Sequence, residues 1–401
     1  MGTDSDTPTL PIWIVVGWAT IFLVGTDLFV VSPFLPLIGK EIDRSPQSLT
    51  VLVSVFSVVY AVASPIQGWV AERLGPKAVL IFGVSALAIA NAYTGIAPDF
   101  PNLVVSRTMA GFAAASISPM VYTLTANNAE PARRASRLAI VNSGLVISLI
   151  LGAPVGLMLG SLTEWRWVFL GLAVLLIVMI PINVMTWAQV PAKASRSGTI
   201  KSAERLADSW PFLAGMIAWA ASVYMTYTLL GTALETRLQL GVWTTSLILS
   251  AFGLGATVGV LSGGKLADRI GAPYVVRLSF VAIAIMFCMS AAAFHFGVVT
   301  PFTITLFLIA LFAYGFFPAI QAMAANAFAA RRATVLGLLS SSLYVGITLG
   351  SFVGGVIFDT FGMACVLIAS AITAVVGLLA TWALAAKDRT QNEDATIRVR
   401  P

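Results

Sequence analysis

The 401-residue chain is short of charge: Lys, Arg, Asp and Glu make up only 10% of it, against roughly 25% in ordinary soluble domains. A water-exposed surface around a chain of this size cannot be built from so few charges. The sequence is equally short of chemical tools. Its two cysteines, Cys288 and Cys365, lie in apolar stretches, where a free thiol behaves as a small apolar group, so neither a disulfide framework nor a metal site is expected. His295, the single histidine, falls at the end of an apolar run and reads as an interfacial polar group rather than a proton relay. No Gly-Lys-Ser/Thr phosphate loop is present, which argues against ATP-driven work, and no nucleophile, histidine and acid stand together. Catalysis and cofactors are therefore not expected, and the twelve scattered methionines suggest pliable packing.

What the chain has instead is apolar length. Hydrophobic residues make up 58% of it, gathered into runs long enough to cross a roughly 30 Å hydrocarbon core as helices. The runs fall near 12–38, 48–70, 78–97, 102–126, 137–161, 166–188, 211–234, 244–266, 274–294, 301–327, 334–358 and 362–386. They are continuously apolar, without the two-residue alternation of lipid-facing strands, so helices rather than a barrel are required. The expected fold class is an all-α membrane protein with twelve transmembrane helices. The first ten residues are polar, with Asp4 and Asp6 and no basic residue, which is unlike a signal or transit peptide. The first helix is expected to double as the insertion signal.

Basic residues set the orientation. Both termini share a side when the number of spans is even, and that side carries 18 of the 23 Lys and Arg. The opposite side has Lys40, Arg44, Arg166 and Arg237, and Arg107 lies within a span. Such a split places the termini in the cytoplasm and the chain in the inner membrane. The net charge of +6 then reports topology and contact with anionic lipid, with no call for nucleic acid.

The chain also repeats itself. A polar stretch, 190–210, reads as a linker between a first unit, 1–189, and a second, 211–401. On either side stands one pattern: Gly68-Trp-Val-Ala-Glu72-Arg73-Leu-Gly75 after span 2, and Gly264-Lys-Leu-Ala-Asp268-Arg269-Ile-Gly271 after span 8. Two matching halves related along the membrane normal are one of the plans of secondary transporters.

The pattern Gly-x-x-Ala-acid-Arg-x-Gly is similar to the signature loop of the major facilitator superfamily. Four further features resemble its twelve-helix drug:proton antiporters and sugar-efflux permeases: the stretch from Gly25 to Ile38, Arg107 with Gly111, the Gly152–Gly160 stretch, and Trp165-Arg166-Trp167-Val168-Phe169. The resemblance implies two six-helix bundles, with a conformational latch at Gly68, Glu72, Arg73 and Gly75 and again at Gly264, Asp268, Arg269 and Gly271. Glu72 departs from the family's usual Asp, and Pro76 and Ala272 stand where a base is common. Gly152, Pro154, Gly156 and Gly160 resemble the antiporter stretch of span 5, with Ala153 in place of the adjoining glycine. Plain helix packing competes with a direct role there, as it does for Gly346, Gly350, Gly354 and Gly355 in span 11.

Asp27 is the one acid deep within a span. An ionised carboxylate in hydrocarbon is costly unless paired, solvated or protonated, so an intramembrane acid is a functional candidate. Counting about 1.5 Å per residue puts Asp27 about 22 Å from the cytoplasmic face, and Arg107 at a similar depth. A proton-exchanging Asp27 with Arg107 as counter-charge is the expectation; a fixed structural ion pair is the alternative. Trp165 and Arg166 read as outer-interface anchors. If the family architecture holds, helices 1, 4, 7 and 10 line the substrate cavity, with Asn142, Tyr227, Tyr314 and Gln321 as candidates.

The expected function is export of small lipophilic or neutral molecules in exchange for protons, by a chain acting as a monomer. Proton-coupled or facilitative import of a small metabolite is the alternative on the same fold.

Overall fold

The computed structural model describes residues 10–43, 49, 51–152, 164–188, 206–240 and 242–397. Among them are twelve α-helices: α1 (Ile12–Glu41), α2 (Val51–Leu74), α3 (Pro76–Ile96), α4 (Phe100–Asn128), α5 (Arg134–Ile147), α6 (Trp165–Thr186), α7 (Trp210–Thr236), α8 (Val242–Ile270), α9 (Ala272–His295), α10 (Val299–Ala327), α11 (Arg332–Phe361) and α12 (Met363–Ile397). Eleven are long and apolar enough to cross a membrane. The exception is α5, whose 14 residues run into a π-helical turn, Ser148–Gly152, where the described stretch ends. Pro154, Gly156 and Gly160 lie outside the described residues. So does most of the expected linker, of which Leu206–Ser209 forms a 3-10 turn leading into α7.

Eleven of the twelve apolar runs become one helix each, and the differences are at the ends; the run at 137–161 is described only as far as Gly152. The repeated signature is not a loop: Gly68 to Leu74 completes α2 and Gly264 to Ile270 completes α8. Only the last glycine of each copy turns the chain, Gly75 at φ 87° and Gly271 at φ 97°. A side chain with a Cβ is strained in that left-handed region, which is why glycine stands at both hairpins. The last helix continues to Ile397, past the expected end at 386. At the α3–α4 turn, the backbone N–H of Asn102 donates to Asp99 at 2.9 Å, which holds the Asp99 carboxyl below its usual range.

Two six-helix bundles result, with one pattern of contacts. In the first, α1 packs on α5 and α6, α4 on α2 and α3, and α3 on α6. In the second, α7 packs on α11 and α12, α10 on α8 and α9, and α9 on α12. The bundles meet mainly along two seams, α2 with α11 and α5 with α8.

Burial follows from position. In α4, at the heart of the first bundle, 89% of the apolar window is buried, whereas in α6 only 33% is. The uncovered faces are themselves apolar, as Val174, Leu175, Ile177 and Val178 of α6 and Ile368, Ile372, Val375 and Val376 of α12 show. Such faces suit acyl chains and not water. With lipid outside as apolar as the core, close approach of backbones has to do the work of cohesion. A Cβ at Gly111 of α4 would stand 2.5 Å from the Phe56 carbonyl oxygen of α2, and one at Gly346 of α11 would stand 2.5 Å from the Ile217 carbonyl oxygen of α7. Gly350 and Gly354 abut Ala221 and Met225 in the same way. The face of α11 bearing Gly346, Gly350 and Gly354 is thus a packing surface, whereas a Cβ at Gly355 would meet nothing within 4 Å among the described residues.

Candidate transport site

The chain direction puts the ends of α2, α4, α8 and α10 and the starts of α3, α5, α9 and α11 at one end of the molecule, here the basic end. Arg73, Arg134, Arg269 and Arg332 lie there.

Asp27 of α1 and Arg107 of α4 face each other in the first bundle. Arg107 donates from Nη1 to Oδ1 at 2.9 Å and from Nη2 to Oδ2 at 3.3 Å, with 0% of the Asp27 side chain and 2% of the Arg107 side chain exposed. The paired fork is the strong geometry for these two groups. Away from water each ion needs the other, and loss of either strands a buried charge. The guanidinium lies over the Phe56 ring, 4.9 Å from its centroid, and among the described residues its Nε has no hydrogen-bond partner.

A cavity of about 230 Å³ separates the bundles. Its walls include Phe29 of α1, Ile150 beyond α5, Tyr224 and Tyr227 of α7, Phe252 of α8 and Tyr314 of α10, and no described lining residue is charged. Tyr227 and Phe252 lie 5.0 Å apart between ring centroids, and Phe252 meets Tyr314 edge-on at 6.3 Å. Its lining differs from the expected helices: α5 and α8 contribute, and α4 does not. Tyr227 and Tyr314 are in the wall, whereas Asn142 and Gln321 are not. Those two are bonded to each other across the bundles, Asn142 Nδ2 to Gln321 Oε1 at 2.7 Å, and both are 2% exposed. They sit nearer the basic end, so the bond forms a floor beneath the cavity.

Below that floor the bundles are closed by paired devices. At the α2–α11 seam a Cβ on Gly68 would stand 2.6 Å from the Ala333 carbonyl oxygen, and the Thr334 hydroxyl donates to Glu72. At the α5–α8 seam, Asp268 accepts from the backbone N–H of Ala135 at 3.0 Å and of Ser136 at 2.8 Å. Both acids meet the first turn of a helix from the other bundle, where unpaired N–H groups and the helix dipole favour negative charge. The bases of the signature do not cross: Arg73 lies over Trp69 of its own helix, 3.7 Å from the ring centroid, and Arg269 is exposed.

A second paired device is absent from the expectations above. Arg134 donates from Nε to the Ala126 carbonyl at 2.9 Å, capping α4, and from Nη1 to Asn326 of the other bundle. Arg332 donates from Nε to the Ala325 carbonyl at 2.8 Å, capping α10, and from Nη1 to Asn127. The signal was in the sequence, as Arg133-Arg134-Ala135-Ser136 returns as Arg331-Arg332-Ala333-Thr334, 198 residues on. At the opposite end, Trp165 and Arg166 are ties rather than lipid anchors. Trp165 Nε1 donates to Glu41 at 2.6 Å, and Arg166 donates to Glu41 at 2.8 Å and to the Ala97 carbonyl at 2.6 Å. Trp167, 61% exposed, is left facing outward.

Two matched helical bundles, meeting at closed seams and enclosing a cavity with a buried ion pair beside it, define a two-bundle membrane transporter. The family described as the Major Facilitator Superfamily matches residues 17–294 and again 212–399. The chain belongs to that superfamily. It is 27% identical over 360 residues to the MFS-type transporter YceJ of Bacillus subtilis, covering 86% of this chain and 88% of that one. It is 26% identical over 186 residues to the fatty acid resistance protein FarB of Neisseria gonorrhoeae, 45% of this chain and 35% of that one. Among solved structures, the E. coli fucose:proton symporter FucP superposes with a TM-score of 0.76 at 13% identity, covering 92% of this chain and 97% of that one.

Proposed function

We propose that this transporter exports small lipophilic or neutral molecules in exchange for protons, by alternately exposing the central cavity to the two sides of the inner membrane. The basic end faces the cytoplasm, with both termini, as the distribution of Lys and Arg supports. The chain acts alone, since each bundle completes the other's seams. The arrangement described is then the state closed to the cytoplasm. Glu72, Asp268, Arg134 and Arg332 hold that closure, and their release opens the cavity inward.

The observation that carries the coupling is the Asp27–Arg107 pair, 2.9 Å apart and out of reach of water. A proton arriving on a carboxylate oxygen of Asp27 neutralises the acid and breaks the pairing, leaving Arg107 as a buried cation. A fully paired site and a proton-loaded site therefore differ by several kcal/mol in what surrounds them. That difference suffices to favour one carrier state over another. The cavity, aromatic and without fixed charge in its described lining, supports a lipophilic or neutral cargo held by ring contact and burial. FarB, a fatty acid resistance protein, favours the outward direction.

The test is transport in proteoliposomes under an imposed pH gradient, across a panel of lipophilic cations, sugars and amino acids. The reading expects one class of cargo to move against proton entry, and Asp27→Asn to abolish that gradient-driven movement while the protein stays folded. Cargo moving together with protons would reverse the direction, and coupled transport retained in Asp27→Asn would remove Asp27 from the mechanism.

A further inference from the structure

The ion pair lies wholly in the first bundle, yet the seams that must open join the first bundle to the second. A continuous file of side chains spans that gap. Arg107 lies over Phe56, Phe56 stacks on Tyr60 one turn further along α2 at 6.2 Å between centroids, and Tyr60 meets Tyr344 of α11 at 4.4 Å. Phe56 is 1% and Tyr60 3% exposed, so neither has room to turn aside into lipid. Behind Phe56 there is no slack either, since even a Cβ at Gly111 would strike its carbonyl oxygen at 2.5 Å. Beyond Tyr60 and Tyr344 the same seam continues toward the basic end, with Ser341 donating to the Ala61 carbonyl at 2.6 Å, Ser64 donating to the Gly337 carbonyl at 3.1 Å, and then the Glu72–Thr334 bond. The other seam has no equivalent, because α5 contains no aromatic residue.

We propose that Phe56, Tyr60 and Tyr344 are positioning residues that carry the protonation state of Asp27 from Arg107 to the α2–α11 seam. The proposal rests on the reading of Asp27 as the proton carrier. When Asp27 takes a proton, Arg107 loses its counter-charge, and the Phe56 face lies 4.9 Å from the guanidinium. A desolvated guanidinium is drawn to such a face. Close-packed neighbours do not absorb a displacement of this kind but pass it on. Phe56 presses Tyr60, Tyr60 presses Tyr344, and the backbone-directed bonds of Ser64 and Ser341 lose their alignment. One seam is thus driven by the proton and the other follows.

The experiment reads the seam and the proton separately. In a background with Cys288→Ser and Cys365→Ser, spin labels on Leu74→Cys and Ala329→Cys report the distance across the basic end, and the infrared carbonyl band of protonated Asp27 reports proton uptake, both in acidic and alkaline buffer. The expected result is a pH-dependent shift in the distance distribution. Phe56→Leu and Tyr344→Leu, which keep bulk but remove the ring, should weaken it about tenfold, within the usual range of coupling between sites. Asp27 should still take up its proton in both. Phe56→Tyr and Tyr344→Phe, which keep the ring faces, should restore the shift. A full response in Phe56→Leu and Tyr344→Leu overturns the file while leaving Asp27 in place, as does its loss in Phe56→Tyr and Tyr344→Phe. A full response in Asp27→Asn overturns the reading of Asp27 itself, and this inference with it.

Discussion

The two seams are related by the repeat but are not equally strong, and that inequality is measurable. Asp268 receives two backbone N–H groups at 3.0 and 2.8 Å, whereas Glu72 receives one hydroxyl from Thr334. Hydrogen bonds to an ionised group contribute about 1.5–3 kcal/mol each when sheltered. Asp268 is partly exposed, so screening reduces its two bonds together to about 2–3 kcal/mol. A single hydroxyl bond to Glu72 contributes about 1 kcal/mol by the same reasoning. Removing the acid should therefore shift the carrier toward the state open at the basic end by about 30- to 150-fold in Asp268→Ala, and only about fivefold in Glu72→Ala. The assay is the labelling rate of Ala322→Cys by a membrane-impermeant maleimide in the cysteine-free background. Ala322 is 3% exposed, one residue from Gln321 beneath the floor of the cavity, so its reaction reports the open fraction. Equal acceleration by the two variants, or the greater effect from Glu72→Ala, would refute the bond-counting argument.

Four other variants probe the remaining contacts. Arg134→Ala and Arg332→Ala each remove a helix cap and an interbundle bond, and each should accelerate the same labelling, by a similar factor because their partners match. Gly337→Val puts a Cβ within 2.6 Å of the Ser64 carbonyl oxygen; spin labels across the α2–α11 seam should show a longer distance, with transport lost while the protein remains folded. Tyr227→Ala removes one wall of the cavity and should raise KM for the cargo by about tenfold, a loss of roughly 1.4 kcal/mol of ring contact, with little change in Vmax.

The fold was readable because the bilayer imposes a length on each helix and leaves charges only at their ends; eleven of the twelve runs became one helix each, and their expected termini differ mostly by a turn or less. Depth was readable for the same reason. Asp27 and Arg107 could be set at one level by counting residues, and they are in contact. Partnership between polar residues was harder to read. Asn142 and Gln321 looked like cavity candidates because a lone amide in a span announces only that it needs a partner, and the partner is supplied by the way the bundles close. Arg134 and Arg332 read as topogenic charge, since a base at a helix start serves the positive-inside bias whether or not it also reaches an asparagine 192 residues or more away. Phe56 and Tyr60 carried no signal at all, because aromatic residues four apart in an apolar helix are the ordinary content of packing.

The repeat itself separates the mechanical parts from the chemical one. The parts of the repeated motifs that close the basic end occur twice: the glycine and acid of each signature, the capping arginine with its asparagine, and the hairpin glycines at positive φ. Duplicated parts serve a motion that treats the two bundles alike, and a carrier that rocks about a central cavity needs matched seams on both flanks. The ion pair occurs once. In the second bundle α10 carries no acid or base, and α7 has only Glu235, one residue from its end. A buried pair needed merely to hold α1 to α4 would have a cheaper solution in the apolar and small-residue contacts that hold α7 to its neighbours, since such pairs seldom stabilise better than well-packed hydrophobic substitutes. Its retention on one side alone is what a chemical input requires: the symmetric motion needs a single asymmetric trigger. The double variant Asp27→Leu/Arg107→Leu separates the alternatives. If the pair is structural, the double variant is folded and still transports; if it is the trigger, the protein is folded, as stable as before or more so, and no longer driven by a pH gradient.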